Sequence, residues 1–203
     1  MIIESKNTDI PVAGFQDPID DAQSVFRNVL DAMSHPGKIV TVNGLDDAPS
    51  PLNKATASIC LSLVDFETPL WMDTEIAVSG ETVNFLRFHC GCPITTDSKE
   101  AKTALLSNPS EMTSFKRFYE GCDERPDLSA TLIIQVDGLS NEDGVKLSGP
   151  GIKNSSLLNV DGLPEQFWNC VHENHGLFPR GVDLILTANE QMVCLPRTTK
   201  VEV

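Results

Sequence analysis

A glycine-rich stretch from Leu147 to Ser156 (LSGPGIKNSS) has the residue types of a phosphate-binding loop. It places two glycines and a lysine directly after a segment that reads as a strand, and backbone N–H groups beside a lysine can bind an anion. The spacing fits neither a Walker A loop nor a dinucleotide fingerprint, because the latter needs a small residue at Asn154. Pro150 also removes one N–H donor. Two interpretations stay open: an anion site that includes Lys153, or a tight turn that leaves a strand.

A second chemically capable set consists of His89, Cys90 and Cys92, together with His172 and His175. Two thiolates and two imidazoles complete a tetrahedral zinc site when the segments meet. The Cys-x-Cys spacing is one residue shorter than the usual zinc motif, which makes it a weak signature. Buried thiols with surface histidines are the alternative, and we predict that the chain holds no metal.

Patterns for covalent catalysis are missing from the sequence. It contains neither a G-x-S-x-G nucleophile elbow nor an H-E-x-x-H zinc helix, and no lysine has an obvious setting for a Schiff base. A Schiff-base role for Lys153 in its glycine-rich loop stays open. The sequence therefore offers no acid, base and nucleophile set from which an independent reaction could be written.

The charge balance restricts the class of partner. The 203 residues carry a formal charge of −14, with 29 acidic and 15 basic side chains. Because nucleic-acid binding needs clustered Lys and Arg, we predict no nucleic-acid partner. A phosphorylated ligand would depend on a few local cations, since a guanidinium binds phosphate in a bidentate fork. Each arginine is therefore a separate candidate for contacting such a ligand: Arg27, Arg87, Arg117, Arg125, Arg180 and Arg197.

Hydropathy predicts a protein that works away from membranes. The first 15 residues (MIIESKNTDIPVAGF) have no cationic start followed by a long apolar stretch, and no apolar run approaches the roughly 20 residues of a membrane span. We therefore expect no membrane association and a cytoplasmic location. The six cysteines are then expected to be reduced and mostly buried.

Helices and strands that alternate along the chain would position these residues. The clearest helix is predicted from Pro18 to Met33, because apolar residues recur at the helical period after the start signal Asp17-Pro18. Further helices are predicted over 52–63, 99–106, 111–119 and 164–172, while 82–89 is ambiguous between helix and strand. Strands are predicted over 38–42, 68–72, 93–95 and 130–136, and a hairpin over 182–188 and 192–195 with its turn at 189–190. This alternation favours a single α/β domain over 1–203, with a mixed sheet covered on both faces.

Seven collinear segments carry a resemblance to a known family. They are FRNVLDAMSHPGKIV (26–40), PLNKATASICLSLVDFETPLW (51–71), LRFHCGCP (86–93), ATLIIQV (130–136), LSGPGI (147–152), FPRGVDLILT (178–187) and LPRTTKVEV (195–203). Together they resemble the PhnH family, the H subunits of bacterial carbon–phosphorus lyase. The segments span nearly the whole chain in order, and the A-M-S-x-P-G turn, L-R-F-H and P-R-T-T-x-V-E are its most specific parts.

The resemblance implies a role in phosphonate catabolism. In that system the G, H and I subunits, with an ATP-binding-cassette-like subunit L, are implicated in replacing the adenine of MgATP by an alkylphosphonate. The product is an α-D-ribose 1-phosphonate 5-triphosphate, and the radical step that breaks the C–P bond belongs to subunit J. The implied partners are a second copy of the chain and subunits G, I and J, with L.

The implied fold is a three-layer α/β/α sandwich with a mixed sheet. It is similar to the large domain of type I pyridoxal-phosphate-dependent transferases, but without the lysine and phosphate pocket for that cofactor. No cofactor is therefore expected. The partner surface should contain exposed apolar anchors, for which Trp71, Phe85 and Trp168 are candidates, with a core position as the alternative for each.

Two functional hypotheses follow. The favoured one is a helper subunit, part of a multi-subunit synthase and lyase, with no independent activity. The alternative is a stand-alone transferase that binds a phosphate or nucleotide ligand. Its candidate ligand-binding residues lie in the family-like segments or the glycine-rich loop: Arg27, Arg87, His89, Lys153, Arg180, Asp183 and Arg197. For these, structural contacts are the alternative, such as ion pairs for Arg87 and Asp183 and a sheet edge for Arg197.

Overall fold

The computed structural model describes residues 12–112 and 114–202. The strands of the described part, in chain order, are β1 Val40–Thr41, β2 Leu70–Met72, β3 Thr103–Leu106, β4 Thr131–Gln135, β5 Gly138–Ser148, β6 Ser156–Asp161, β7 Asp183–Ala188, β8 Gln191–Leu195 and β9 Lys200–Glu202. Its α-helices are α1 Pro18–Ser34, α2 Lys54–Leu63, α3 Thr74–Val78, α4 Gly80–Cys90 and α5 Phe167–His175.

Six strands form the main sheet, in the order β1-β8-β7-β4-β3-β2. Strands β2, β3, β4 and β7 are parallel, whereas β8 pairs antiparallel with both β7 and β1. The hairpin between β7 and β8 turns at Asn189, whose φ of 54° suits asparagine better than most residues. The α/β class, the mixed sheet and the final hairpin are therefore confirmed.

The parallel strands carry consecutive apolar residues in their centres because both faces of the sheet are covered. In β4, Ile133 belongs to the core on one face, while Leu132 and Ile134 belong to the core on the other. Successive side chains of a strand point to opposite faces, so this split follows from the pleat. A continuous apolar run is the pattern expected of such a strand.

Helices cover the first face of the sheet. The longest, α1, begins where Asp17 accepts hydrogen bonds from the N–H groups of Ile19 and Asp20, both at 3.1 Å. Its apolar positions Val25 and Val29 are buried against α2, α4 and the sheet. The start predicted at Pro18 is confirmed, because the cap and the helical period act over neighbouring residues.

The second face carries a different kind of layer. Helix α5 packs there with a three-stranded antiparallel sheet, in the order β6-β5-β9. Leu147, Leu158 and Val201 of that smaller sheet share a core with Phe167 of α5. The layer predicted to be helical is therefore part helix and part sheet.

The glycine-rich stretch forms the turn between β5 and β6. Ile152 N–H donates to Gly149 C=O at 3.1 Å, and Gly151 has a φ of 83°. A Cβ at Gly151 would clash with the carbonyl oxygen of Ser34, so the turn packs directly on the end of α1. The stretch is therefore a tight turn, and close backbone approach explains why glycine is needed there. Anion binding by Lys153 stays a prediction.

Two predicted helices are wrong. The segment 99–106 contains β3, whose four residues are all buried in the middle of the parallel sheet. The described residues of the segment 111–119 form no α-helix: the 3-10 turn Pro109–Glu111 ends at its start, and a second 3-10 turn covers Phe115–Arg117. Phe115 and Phe118 have a spacing of three, which suits a 3-10 turn as well as an α-helix. Short apolar runs do not separate strand from helix by periodicity alone.

Other predicted elements differ from the observed ones in type or in their boundaries. The ambiguous segment 82–89 is helical within α4, and the strand predicted over 93–95 is reduced to a single bridge between Ile94 and Leu70. The helix predicted over 164–172 begins later, at Phe167. The sequence pattern does not predict β6 and β9. Both strands pair with β5, whose polar residues and glycines (GLSNEDGVKLS) give no regular alternation of apolar and polar positions.

Candidate functional site

A polar cleft lies where the parallel strands β3, β4 and β7 end. Its volume is about 460 Å³, within the range typical of small-molecule sites. It is lined by residues that follow strands or begin helices: Asn53, Ser107, Asn108, Pro109, Ser110, Gln135, Val136, Asp137, Gly162 and Asn189. The carboxyl ends of parallel strands are the usual ligand site in open α/β sheets. We name it the carboxyl-edge cleft.

One wall of the cleft is held by the buried carboxylate of Asp73, which follows β2. It accepts hydrogen bonds from Ser107 N–H at 2.6 Å, Ser107 Oγ at 2.9 Å and Asn108 N–H at 3.1 Å. Its other oxygen caps α3 through Ile76 N–H at 3.0 Å. Asp73 therefore ties the end of β2 to the end of β3 and fixes the backbone that presents Asn108.

The floor of the cleft is a second closed network. Gln135 at the end of β4 accepts from Asn53 N–H at 2.5 Å and donates to Pro51 C=O at 2.9 Å. Asn53 caps α2 through Thr56 N–H at 2.8 Å and donates to Thr187 Oγ1 at 3.2 Å. The side chains of Asn53 and Gln135 therefore have their oxygen and nitrogen atoms engaged within the protein, and they hold α2 against β4 and β7.

Three polar groups of the cleft keep unused hydrogen-bonding capacity. The Asn108 Oδ1 atom accepts from Ser110, but its Nδ2 amide donates to nothing within the described residues. The Asp137 carboxylate and the side-chain amide of Asn189 likewise form no hydrogen bond within residues 12–112 and 114–202. Asp137 and Asn189 are exposed and Asn108 is half-buried, so all three side chains are accessible from the cleft.

The cleft has a negative character. Among the described lining residues there is a carboxylate, Asp137, but no lysine or arginine. An adjoining hollow that shares Asn53 and Asn189 includes Lys54, whose Nζ pairs with Glu190 at 2.9 Å. Among their described lining residues, neither hollow therefore offers an unpaired lysine or arginine for a phosphate group.

The structure brings Asp183 and Arg197 together at the opposite edge of the sheet. Arg197 Nη2 lies 2.5 Å from Asp183 Oδ2, and Nε lies 3.2 Å from Oδ1. The remaining guanidinium donors reach Pro126 C=O and Ser129 Oγ, both at 2.6 Å. Asp183 begins β7 while the cleft lies at its end, roughly 16 Å away for a six-residue strand. The ion-pair alternative for Asp183 is confirmed.

The other predicted ligand residues are dispersed. Arg180 pairs with Asp123 at 3.3 Å near the start of β7. Arg27 on α1, Arg87 on α4 and Lys153 in the β5–β6 turn are exposed and form no ion pair within the described part of the chain. None of these side chains lines the carboxyl-edge cleft. Their role in ligand binding stays a prediction.

His89 makes a contact within its own subunit. Its Nε2 atom lies 3.0 Å from Val12 C=O, and its ring contacts those of Phe85 and Phe88. A Cβ at Gly14 would lie 2.9 Å from the imidazole, so the segment before α1 runs directly over this ring. The contact fastens residues 12–14 to α4.

The zinc set of the sequence is not assembled. Cys90 and Cys92 lie in the core beneath the helices, whereas α5 with His172 and His175 packs on the other face of the sheet. Across the described residues, no three His, Cys, Asp or Glu side chains are arranged to hold a metal ion. Burial raises the pKa of Cys90 to about 12, which keeps this thiol protonated and unreactive near neutral pH.

Sequence reasoning missed the residues of the cleft. A signal was available, because Asp73, Asn108, Asp137 and Asn189 each follow an apolar strand by one to two residues. Of the strands that they follow, β3 is predicted as part of a helix and β2 begins two residues later than predicted. The sequence therefore does not show that these residues share one edge of the sheet. The expected partner anchors were also wrong in part, since Trp71 and Phe85 are buried in the core.

The fold defines an α/β protein with a mixed sheet and a polar cleft at the carboxyl ends of its parallel strands. No helix in the described part of the chain has both the length and the apolar character needed to cross a bilayer. The family of bacterial phosphonate metabolism proteins named PhnH matches residues 13–202, and the chain belongs to this family. The resemblance found in the sequence is thereby confirmed.

Two relatives agree with this assignment. The chain is 37% identical over 188 residues to the "Alpha-D-ribose 1-methylphosphonate 5-triphosphate synthase subunit PhnH" of Rhizobium meliloti (strain 1021), covering 93% of this chain and 94% of the relative. It is 28% identical over 179 residues to the "Putative C-P lyase subunit protein HtxG" of Stutzerimonas stutzeri, covering 88% and 85% of the two chains.

Proposed function

We propose that this chain is the H-type subunit of a carbon–phosphorus lyase system in phosphonate catabolism. In that role it takes part, with subunits G, I and L, in forming an α-D-ribose 1-alkylphosphonate 5-triphosphate from MgATP and an alkylphosphonate. The observation that carries the proposal is the 37% identity to a synthase subunit over nearly the full length of both chains. The relative is named as a subunit, which supports a role inside a larger enzyme.

We further propose that the chain supports catalysis without performing the reaction alone. The carboxyl-edge cleft has no nucleophile beside a base and no cation among its described lining residues. The alternative, a stand-alone transferase, would need the predicted cations to converge on one ligand. Arg180 and Arg197 instead pair with carboxylates at the far edge of the sheet, which favours the helper role.

The remaining attributes are proposals that follow from family membership. We propose a homodimer when the chain is alone, association with subunits G, I and J and with L, a cytoplasmic location, and action without a cofactor of its own. We also propose that 1–203 is one domain with an α/β/α arrangement similar to the large domain of type I pyridoxal-phosphate transferases. Helices over one face of the parallel strands support that similarity, and α5 supplies helix on the other face.

An exposed apolar stripe on α1 is the proposed contact surface. Ile19, Phe26 and Leu30 are 79%, 43% and 51% exposed, and their spacing places them along one side of the helix. Exposed apolar residues grouped in this way mark interaction surfaces. We define them as the α1 stripe and propose that it packs against a partner subunit.

Reconstitution of the enzyme system tests the proposed function. Subunits G, I and L would be assayed with MgATP and methylphosphonate, with and without this chain, and the ribose triphosphate product would be measured. We expect product only when this chain is present, and none from this chain alone. Undiminished product without it would refute the subunit role, and turnover by the pure chain would establish the stand-alone transferase.

Thermal unfolding with ligands separates the two hypotheses by binding. A ligand at 100 times its dissociation constant stabilises a protein by about 2.7 kcal/mol. For a stand-alone transferase, ATP or an alkylphosphonate would give such a shift with the isolated chain. For a helper subunit we expect no shift of that size with either compound.

A further inference from the structure

We propose that the carboxyl-edge cleft binds the vicinal diol of a ribosyl group. The Asp137 carboxylate accepts hydrogen bonds from the two hydroxyls, and the side-chain amides of Asn108 and Asn189 contact the same face of the sugar. The identity of the sugar rests on the proposed function, whereas the chemistry of the site rests on the cleft itself.

The unused groups of the cleft determine what it binds. A carboxylate only accepts hydrogen bonds, and a primary amide both donates and accepts, so together they match hydroxyl groups, which do both. Asn108 retains both Nδ2 protons, because its Oδ1 atom alone is engaged, by Ser110 N–H at 3.0 Å and by Ser110 Oγ. Acidic side chains at this edge of α/β sheets bind ribose hydroxyls elsewhere.

The charge of the cleft excludes the phosphate end of such a ligand. Asp137 would repel a triphosphate, and the described lining offers no lysine or arginine to offset that repulsion. The net charge of −14 acts in the same direction. The sugar therefore enters with its hydroxyl edge first, and its phosphates point out of the cleft.

The hydrogen-bonded side chains at the floor of the cleft are held in place, which makes binding depend on the shape of the ligand. Gln135 and Asn53 are locked to each other and to α2, and Asp73 holds the backbone of Ser107 and Asn108. Gly162 leaves the room that Asp137 needs, because a Cβ there would lie 2.6 Å from the Asp137 Oδ2 atom. The volume of about 460 Å³ accommodates a furanose and part of its substituent.

Nuclear magnetic resonance on the full chain tests the site directly. Methyl β-D-ribofuranoside, which is neutral and keeps the diol, would be titrated while the side-chain amide signals of Asn108 and Asn189 are followed. We expect those signals to shift, with binding at least about tenfold weaker for methyl 2-deoxy-β-D-ribofuranoside, since one tenfold step corresponds to losing one modest hydrogen bond. Asp137→Asn should weaken ribofuranoside binding similarly, whereas the exposed control Asp143→Asn on β5 should not.

Three results would overturn the inference. They are no shift at Asn108 and Asn189, equal binding of the deoxy sugar, or an Asp137-dependent shift with Mg²⁺ alone, which would indicate a cation site. In the reconstituted enzyme, Asp137→Asn should raise the KM for MgATP more than it lowers kcat. If the complex needs this chain but tolerates Asp137→Asn without change, the cleft proposal fails while the proposed function stands.

Discussion

The buried carboxylate of Asp73 determines how the ends of β2 and β3 are joined. It accepts from the backbone of Ser107 and Asn108 and caps α3, so few of its lone pairs are unused. Hydrogen bonds to a charged acceptor contribute about 1.5–3 kcal/mol each, and an orphaned buried N–H costs a similar amount. This residue therefore shapes the cleft without lining it.

Replacing Asp73 should weaken the fold. For Asp73→Asn we expect a fall of about 2–3 kcal/mol in the free energy of unfolding, because an amide N–H would face donors that now meet an oxygen. Urea denaturation followed by circular dichroism measures this. Glu75→Gln, in the first turn of the same helix but exposed, is the control and should change stability by less than about 0.5 kcal/mol. Equal effects of the two variants would contradict this account.

Arg197 and Arg180 provide a matched pair of predictions at the start of β7. The side chains of Arg197 and Asp183 are 14% and 24% exposed, whereas those of Arg180 and Asp123 are 42% and 79% exposed. Arg197→Lys loses the planar fork and the contacts to Pro126 and Ser129, so we expect destabilisation of about 2 kcal/mol. Arg180→Lys should cost less than about 1 kcal/mol because its ion pair is solvated.

The same pair separates structure from ligand binding. If Arg197 serves the fold, Arg197→Lys lowers the midpoint of urea unfolding and leaves the KM of the reconstituted enzyme unchanged at low temperature. A variant of unchanged stability whose KM rises would instead establish Arg197 as a ligand residue. The test therefore separates the ligand-binding role that the sequence predicts for Arg197 from the structural role that its ion pair with Asp183 indicates.

At the scale of elements, α1 has two apolar sides with different roles. Val25, Val29 and Ala32 are buried against the sheet, whereas Ile19, Phe26 and Leu30 of the α1 stripe are exposed. A helix on the surface of a domain needs only the first side for folding. The second side is therefore available for assembly.

Charges placed in the α1 stripe should prevent assembly without unfolding the chain. For Phe26→Glu combined with Leu30→Glu we expect at least about a tenfold loss of affinity for its partners, because buried apolar anchors dominate interface energy. Pull-down and sedimentation with the other subunits measure this, and circular dichroism checks the fold. Ser24→Glu, also exposed on α1, is the control. Normal assembly of the double variant would exclude the stripe as an interface.

At the scale of the whole molecule, one sheet separates two apolar cores. The helices α1, α2 and α4 cover the core that contains Ile133, and both tryptophans belong to or pack against the opposite core, which contains Leu132 and Ile134. Because neighbouring residues of β4 serve the two cores, neither core can be lost while the strand stays intact. The two cores should therefore unfold together.

Coincident unfolding curves would confirm this coupling. Tryptophan fluorescence reports the core near Trp71 and Trp168, while far-ultraviolet circular dichroism reports mainly the helices over the other face. We expect both signals to give one urea midpoint, as in two-state unfolding of a single domain. Midpoints that differ would show two independent units and would contradict the proposed single domain.

The sequence by itself determined the features that depend on neighbouring residues. The cap and period of α1, the apolar strand β4 and the Asn189 hairpin were predictable, because each is specified within a few positions. The family was also predictable, because its motifs recur in order along the chain. The predicted boundaries and types of elements are wrong where the local pattern is ambiguous. In β3, for example, the buried run TALL is equally compatible with a helix.

Only the tertiary structure decided which polar residues meet. Asn108, Asp137 and Asn189 are separated by tens of residues, and they meet because three parallel strands end at one edge of the sheet. Asp183 and Arg197, which the sequence predicts as ligand residues, meet at the other edge and form an ion pair with each other. Strand order and direction are set by packing between distant segments, and no short stretch of sequence contains that information.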